Sequence, residues 1–210
     1  MLKEFCAENL VNVRRAIVAG AQRVELCDDL SEGGVTPRDS IIGQAVELVH
    51  GLGASVMVMV RPRGGDFAYS ESELVAMERT IRRAYAHGAD GVVFGCVRDG
   101  VLDVRATTRL VRMAQGLDCT FHMAFDEIRR EAQPEALDVI ADLGIARVLT
   151  HGGPLSLSIE QCAPHLHELI DAAAGRVRIM PGGGVTWHNV EWLCHELAVQ
   201  EAHGTRIVRL

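Results

Sequence analysis

Six glycines set the rhythm of this chain. Gly20, Gly53, Gly88, Gly116, Gly144 and Gly175 each close an amphipathic helical stretch, and each is followed within a few residues by a short apolar strand. Their spacings are 33, 35, 28, 28 and 31 residues. A helix C-terminus often needs a residue in the left-handed conformation, which glycine adopts without penalty. A period near thirty is the size of one strand–helix unit. The predicted strands are Leu2–Cys6, Arg23–Cys27, Ser55–Arg61, Gly91–Gly95, Cys119–Ala124, Arg147–His151, Arg176–Pro181 and Ala198–His203, eight in all. Helical patterns such as Glu71–His87 and Pro134–Leu143 lie between them. Eight strands alternating with helices predict a parallel (β/α)8 barrel of the TIM type, with a doubly wound open sheet as the competing arrangement. The 210 residues suit one domain spanning 1–210. The chain stops just past the eighth strand, so the eighth outer helix is missing or vestigial. That flank is then either polar or covered by a second subunit, which favours a homo-oligomer, most simply a dimer.

Composition narrows the function classes. Hydrophobic residues make up 48% and charged residues 23% of the chain, the balance of a globular protein and not of a disordered one. The net charge of −7, with no block of like charges, argues against a basic nucleic-acid-binding face. The longest apolar runs, such as Ser55–Val60, are too short to span a bilayer. The N-terminus enters a strand pattern directly, so a cytoplasmic location is expected. Cys6, Cys27, Cys96, Cys119, Cys162 and Cys194 lack zinc-ribbon spacing and read as thiols of a reducing compartment.

The strands carry polar residues where a parallel barrel usually has none. Strands buried on both faces normally read as continuous apolar runs. Side chains here alternate with period two: Glu4 and Cys6 share one face; so do Arg23, Glu25 and Cys27; so do Met57, Met59 and Arg61; so do Thr120, His122 and Ala124; and so do Glu201 and His203. The β-branched and aromatic set must pack on the helices, which turns the polar set inward, toward the C-terminal mouth. Isolated buried charges are very costly, so these groups must pair. They form either a structural ion-pair network or a ligand site at the face where barrel active sites lie.

Individual positions suggest chemistry. Arg61-Pro-Arg63-Gly-Gly follows the third strand and suits an anion-binding loop, since arginine matches carboxylate or phosphate with a planar fork; Arg61 alternatively neutralises Glu4 or Glu25. Gly182, Gly183 and Gly184 follow the seventh strand, where barrel loops often hold phosphate through backbone N–H groups, with His203-Gly-Thr completing a cup; a tight turn is the other explanation. His122 is the best general acid–base candidate, with Asp126 to orient it or to neutralise an arginine, and Glu25 as a second catalytic carboxylate. Cys6 and Cys27 end adjacent strands with equal parity. Two soft thiolates beside inward Met57 and Met59 would suit Cu(I), although buried cysteines and methionines are also ordinary core residues.

These residues together resemble the CutC copper homeostasis family. The resemblance runs over nearly the whole chain and is carried by Arg23-Val-Glu-Leu-Cys27, Gly33-Gly-Val-Thr-Pro37, Arg61-Pro-Arg-Gly-Gly65 with Phe67 and Tyr69, Thr120-Phe-His122 with Ala124-Phe-Asp126, Val148-Leu-Thr150, and Gly182–Gly184. It implies a cytoplasmic barrel associated with copper handling, in which Cys6 and Cys27 would be the Cu(I) ligands. The residues alone also suit a barrel enzyme acting by acid–base chemistry on a small phosphorylated or carboxylated metabolite. Its ligand contacts would be Glu4, Arg61, Arg63, Thr150, Gly182, Gly183, Gly184 and His203.

Overall fold

The computed structural model describes all residues, 1–210. Eight parallel strands form the predicted (β/α)8 barrel: β1 (Leu2–Glu8), β2 (Arg23–Cys27), β3 (Ser55–Met59), β4 (Gly91–Phe94), β5 (Asp118–Phe121), β6 (Arg147–Thr150), β7 (Arg178–Pro181) and β8 (Glu201–Gly204). They run in the order β8-β1-β2-β3-β4-β5-β6-β7. β7 and β8 lie side by side without a ladder between them, so the barrel is nearly closed. A short antiparallel hairpin, Val97–Arg98 with Val101–Leu102, follows β4.

Seven helices alternate with the strands: α1 (Val13–Val18), α2 (Asp39–His50), α3 (Glu71–His87), α4 (Val104–Met113), α5 (Gln133–Asp142), α6 (Ile159–Ala173) and α7 (Val190–Glu196). α3 shows how the local sequence fixes an element. Ser70 accepts from the Glu73 backbone N–H while the Glu73 carboxylate accepts from the Ser70 N–H, closing a capping box. Leu74, Met77, Ile81 and Ala84 recur at helical spacing and bury the inner face. Gly88, at φ 80°, ends the helix with its N–H on the Ala84 and Tyr85 carbonyls. The other five glycines of the repeat also have positive φ, so the period seen in the sequence is a period of helix C-termini.

No helix follows β8. The tail bridges back instead, Arg206 pairing with Thr186, while Ile207 and Val208 are buried and Arg209 lies over the Trp187 ring. The flank expected to be polar or covered by a second subunit is thus partly covered by the chain's own last residues.

The outward faces of the strands supply the apolar layer under the helices, including Val24, Leu26, Val56, Val58, Phe94, Phe121 and Val148. The inward faces carry the polar set. Register places Glu4 beside Arg23 and His203, and Cys6 beside Glu25. Several strand ends shift by one or two residues from expectation, and two shift by three. β5 stops at Phe121, because Met123–Glu127 turns into a 3-10 helix that His122 caps. β8 starts only at Glu201, because Ala198 takes a positive φ of 53°.

Candidate functional site

The barrel interior is layered. Its lower layer is a network of ion pairs. Arg23 donates from Nε to Glu4, from a terminal nitrogen to Glu201 Oε2 at 2.7 Å, and to Met180 Sδ at 3.1 Å. His203 Nδ1 meets Glu4 Oε1 at 2.8 Å, and its Nε2 lies 3.7 Å from Glu25 Oε2. Arg147 bonds Thr120 Oγ1 at 2.9 Å and Asp118 at 2.5 Å, with Nε 3.4 Å from Glu201. Burial alone would raise the Glu4 carboxyl. Its hydrogen bond to His203 and the Arg23 charge reverse that and hold it at about 2. Burial disfavours a charged His203, but the Glu25 charge and the Glu4 hydrogen bond prevail and raise it. The predicted network therefore exists, and Glu4 and His203 belong to it.

Above this layer sits a sulfur pocket. Cys6 and Cys27 lie Sγ to Sγ at 3.8 Å, packed with Met57, Met59 and Val93. The Cys6 thiol donates to Glu25 Oε2 at 3.2 Å, and the Cys27 thiol to the Ala7 carbonyl at 3.3 Å. Donor atoms of Cys6, Glu25 and Cys27 all lie within 4.8 Å of one another. The Cys27 hydrogen bond, burial and the nearby Glu25 charge push the Cys6 thiol well above its ordinary range. Burial also raises Glu25, against the pull of His203. Both sulfurs fit one ion: opposed metal–sulfur bonds of ~2.3 Å would span ~4.6 Å, so 3.8 Å leaves a bent pair with an open side for a third donor.

The pocket opens on a small chamber of about 100 Å³, walled by Cys6, Glu25, Met59, Arg61, His122 and His203 among others. The chamber shares Gly33, Arg61, Phe67 and Met123 with a wide cleft of about 830 Å³ at the barrel mouth. Three polar atoms of the chamber's walls, Glu25 Oε1, Arg61 Nε and His122 Nε2, are buried and have no partner in the protein. His122 Nδ1 accepts from the Ala124 N–H at 3.2 Å. Burial and the Arg61 charge push the ring down to about 3, so it is neutral at physiological pH.

Several expected roles change. Asp126 does not orient His122. It accepts from Thr150 Oγ1 at 2.5 Å and from the His151 and Gly152 N–H groups at 3.0 and 3.2 Å, tying the loop after β6 in place. Thr150 is that tether's other half. Its hydroxyl also accepts from Gly152 N–H at 2.9 Å, so it faces no ligand. Asp126 does line the cleft, and burial raises its carboxyl against those hydrogen bonds.

Arg63, expected on a ligand, is committed to its own loop. It bonds Glu73 at 2.6 Å, Asp66 at 2.9 Å and the Gly64, Asp66 and Ala68 carbonyls, with its guanidinium over Tyr69. Arg61 neutralises neither Glu4 nor Glu25. It gives its terminal nitrogens to the carbonyls of Glu32 (2.6 Å), Gly34 (3.1 Å) and Gly65 (2.9 Å) and lies over Phe67.

Gly182, Gly183 and Gly184 wall neither the chamber nor the cleft. Gly183 and Gly184 have φ of 74° and 84°, and the carbonyls of Gly182 and Gly183 face His151 Nδ1. The run is a tight turn clasped by His151. Residues that sequence reasoning did not single out are His151 and Arg147. The parity of β6, which places Arg147 and Leu149 on one face, was the available signal for Arg147.

Fold and site together define a single-domain (β/α)8 barrel with a sulfur–carboxylate pocket inside its C-terminal mouth. The CutC family model matches residues 1–208, and the chain belongs to the CutC family. A CutC family protein of Enterococcus faecalis is 45% identical over 99% of this chain and 100% of its own length. The human copper homeostasis protein cutC homolog is 38% identical over 96% of this chain and 72% of its own length. A CutC crystal structure from Streptococcus agalactiae superposes with a TM-score of 0.96 at 42% identity, covering 99% of this chain and 100% of that one. Deoxyribose phosphate aldolase from Aeropyrum pernix, at 11% identity and a TM-score of 0.72 over 98% of this chain and 85% of its own, shares the fold. No helix of the chain is long and apolar enough to cross a membrane.

Proposed function

We propose that this protein binds Cu(I) in the cytoplasm as part of copper homeostasis, taking the ion as cargo between the Cys6 and Cys27 thiolates. The observation that carries the reading is the pair of buried sulfurs 3.8 Å apart among methionines. Thiolate and thioether donors select Cu(I) over harder ions. The names of the human and mouse relatives as copper homeostasis proteins support it. Glu25, already the acceptor of the Cys6 thiol proton, is placed to take that proton as the ion arrives. The test is anaerobic titration against a Cu(I) chelator. One ion per chain is expected for the native protein, and none tightly bound after Cys6→Ser/Cys27→Ser. Equal binding by that double variant overturns the reading.

The unpartnered Glu25 Oε1 and His122 Nε2 favour a second reading, an enzyme acting by acid–base chemistry on a small phosphorylated or carboxylated metabolite. In it the chamber holds the reacting atoms and Arg61 stands at the junction of chamber and cleft. A thermal-shift screen of such metabolites on metal-free protein tests it. A ligand present at a hundred times its Kd adds about 2.7 kcal/mol of stability. No shift with any of them overturns it.

A further inference from the structure

The second reading can be taken to a reaction. We propose that the chamber catalyses proton transfer at the carbon beside a carbonyl group, on a small hydroxyketone or hydroxyaldehyde. The carbonyl oxygen accepts from His122 Nε2–H, and the Glu25 carboxylate removes the neighbouring proton. The inference rests on the acid–base reading of the site and is independent of copper.

The His122 tautomer follows from its neighbours. Nδ1 accepts the Ala124 N–H, so the ring proton of a neutral imidazole sits on Nε2. At the Nδ1–Cε1 edge the ring is pressed against Gly95, where an added Cβ would come within 2.8 Å of both atoms. Nε2 is the nitrogen left over, buried and without an acceptor in the protein. A ligand oxygen in the chamber supplies that acceptor. A neutral donor of this kind polarises a carbonyl without surrendering a full charge to it.

Glu25 completes the pair. Its Oε2 is held by the Cys6 thiol and faces His203, while Oε1 is free of partners. Arg61, also on the chamber wall, gives its terminal nitrogens to three backbone carbonyls but keeps Nε without a partner, a further N–H donor for a substrate oxygen. Arg63 is bound into its own loop and does not line the chamber. The chamber, at about 100 Å³, is small enough to take a carbonyl carbon and its immediate neighbours but not a whole metabolite. The rest of the substrate lies in the cleft.

The chain also excludes the usual alternative for activating a carbonyl. Its single lysine, Lys3, alternates with Glu4 and Cys6 and so faces outward, where its charge acts on Cys194 of α7. No lysine amine is present at the mouth to form an imine, and a donor placed there is His122 Nε2–H. The step balances without a co-reactant. The C–H bond breaks, its proton passes to Glu25, and its electron pair becomes the C=C of an enolate. The charge on oxygen is met by His122 Nε2–H. Return of the proton to the same carbon gives exchange. Return to the former carbonyl carbon, with the hydroxyl proton passing to the other oxygen, gives isomerisation.

The experiment uses chelator-stripped full-length protein in D2O with hydroxyacetone, dihydroxyacetone, glyceraldehyde and dihydroxyacetone phosphate, following loss of the C–H signals by proton NMR. Exchange above the buffer blank is expected for at least one of them. His122→Ala should slow it ~100-fold or more, within the range for a positioned proton-transfer group. Glu25→Gln should abolish it, and His122→Gln, which keeps an N–H donor, should recover part of it. Native protein no faster than the blank with all four compounds, or His122→Ala as fast as native, overturns the proposal. Should His122→Ala fail to fold, nitrogen NMR of the native protein at pH 5 decides: a neutral Nε2–H ring supports it, an imidazolium or Nδ1–H ring overturns it. Binding of other metabolites without any exchange overturns this inference while leaving the acid–base reading intact, whereas binding of none overturns both.

Discussion

Glu4→Gln should cost this barrel about a fifth to three fifths of the roughly 5–15 kcal/mol of stability usual for a domain. Glu4 is fully buried and answers two cations at once, Arg23 and His203. Its carboxyl is held at about 2 against an ordinary 4.5, a difference worth ~3 kcal/mol at 1.36 kcal/mol per unit. Removing one partner of a buried pair typically costs about 3–5 kcal/mol. Arg23 keeps Glu201 and His203 keeps Glu25, so the lower end applies. Stability then falls by ~3 kcal/mol, and Tm by roughly 6–12 °C for a chain of this size. The sign with pH is fixed. A carboxyl lowered by folding contributes its stability above the unfolded value, and that contribution disappears as pH falls from about 4.5 to about 2. Urea unfolding at a series of pH values is the assay. Native and Glu4→Gln proteins should differ fully at pH 6 and converge toward pH 2. Equal stability at pH 6, or a gap that does not close on acidification, would refute the reasoning.

Three further outcomes follow from the same contacts. Arg63→Ala should lower stability by about 1–3 kcal/mol, because it frees Glu73 and the loop before α3, yet leave metabolite affinity unchanged; a lost affinity would return Arg63 to the site. Gly183→Ala should destabilise by roughly 1–3 kcal/mol in thermal melts, since φ is 74° and the new Cβ would sit 2.9 Å from His151 Nδ1; an unchanged Tm would show that the turn is not strained. Cu(I) affinity should rise with pH by up to about tenfold per unit for each thiol proton released, and the high Cys6 value keeps that slope past the ordinary thiol range. A flat profile between pH 6 and 9 in the chelator competition would remove the cysteines as ligands.

The barrel and the polarity of its interior were legible because both are periodic. Glycine spacing counts helix ends, and alternation along a strand decides which side chains face in. Cys6, Glu25, Cys27, Met59 and His122 came together on that ground alone. Choices between partners were not legible. Arg61 and Arg63 look equivalent in sequence, but Pro62 and the turn after it send one to the junction of chamber and cleft and the other back onto Glu73. Asp126 lies past Phe121, where the backbone has turned into a 3-10 helix, so the alternation of the strand does not say where its side chain points. Arg147 lies in the run Arg-Val-Leu-Thr, and its partners Asp118, Thr120 and Glu201 come from other strands. Pairing over such separations depends on barrel closure, which no local pattern encodes.

That closure has a bearing on how the molecule assembles. β8 is the last of the eight strands in chain order, and it carries Glu201 and His203. Until it docks beside β1, Arg23 lacks one of its two carboxylates, and Glu4 and Glu25 lack their shared imidazole. A nascent chain of seven strands would have to bury those charges only partly answered, so it gains little by closing early. β8 thus acts as a latch: the charges inside the barrel are fully answered only once this one strand has docked.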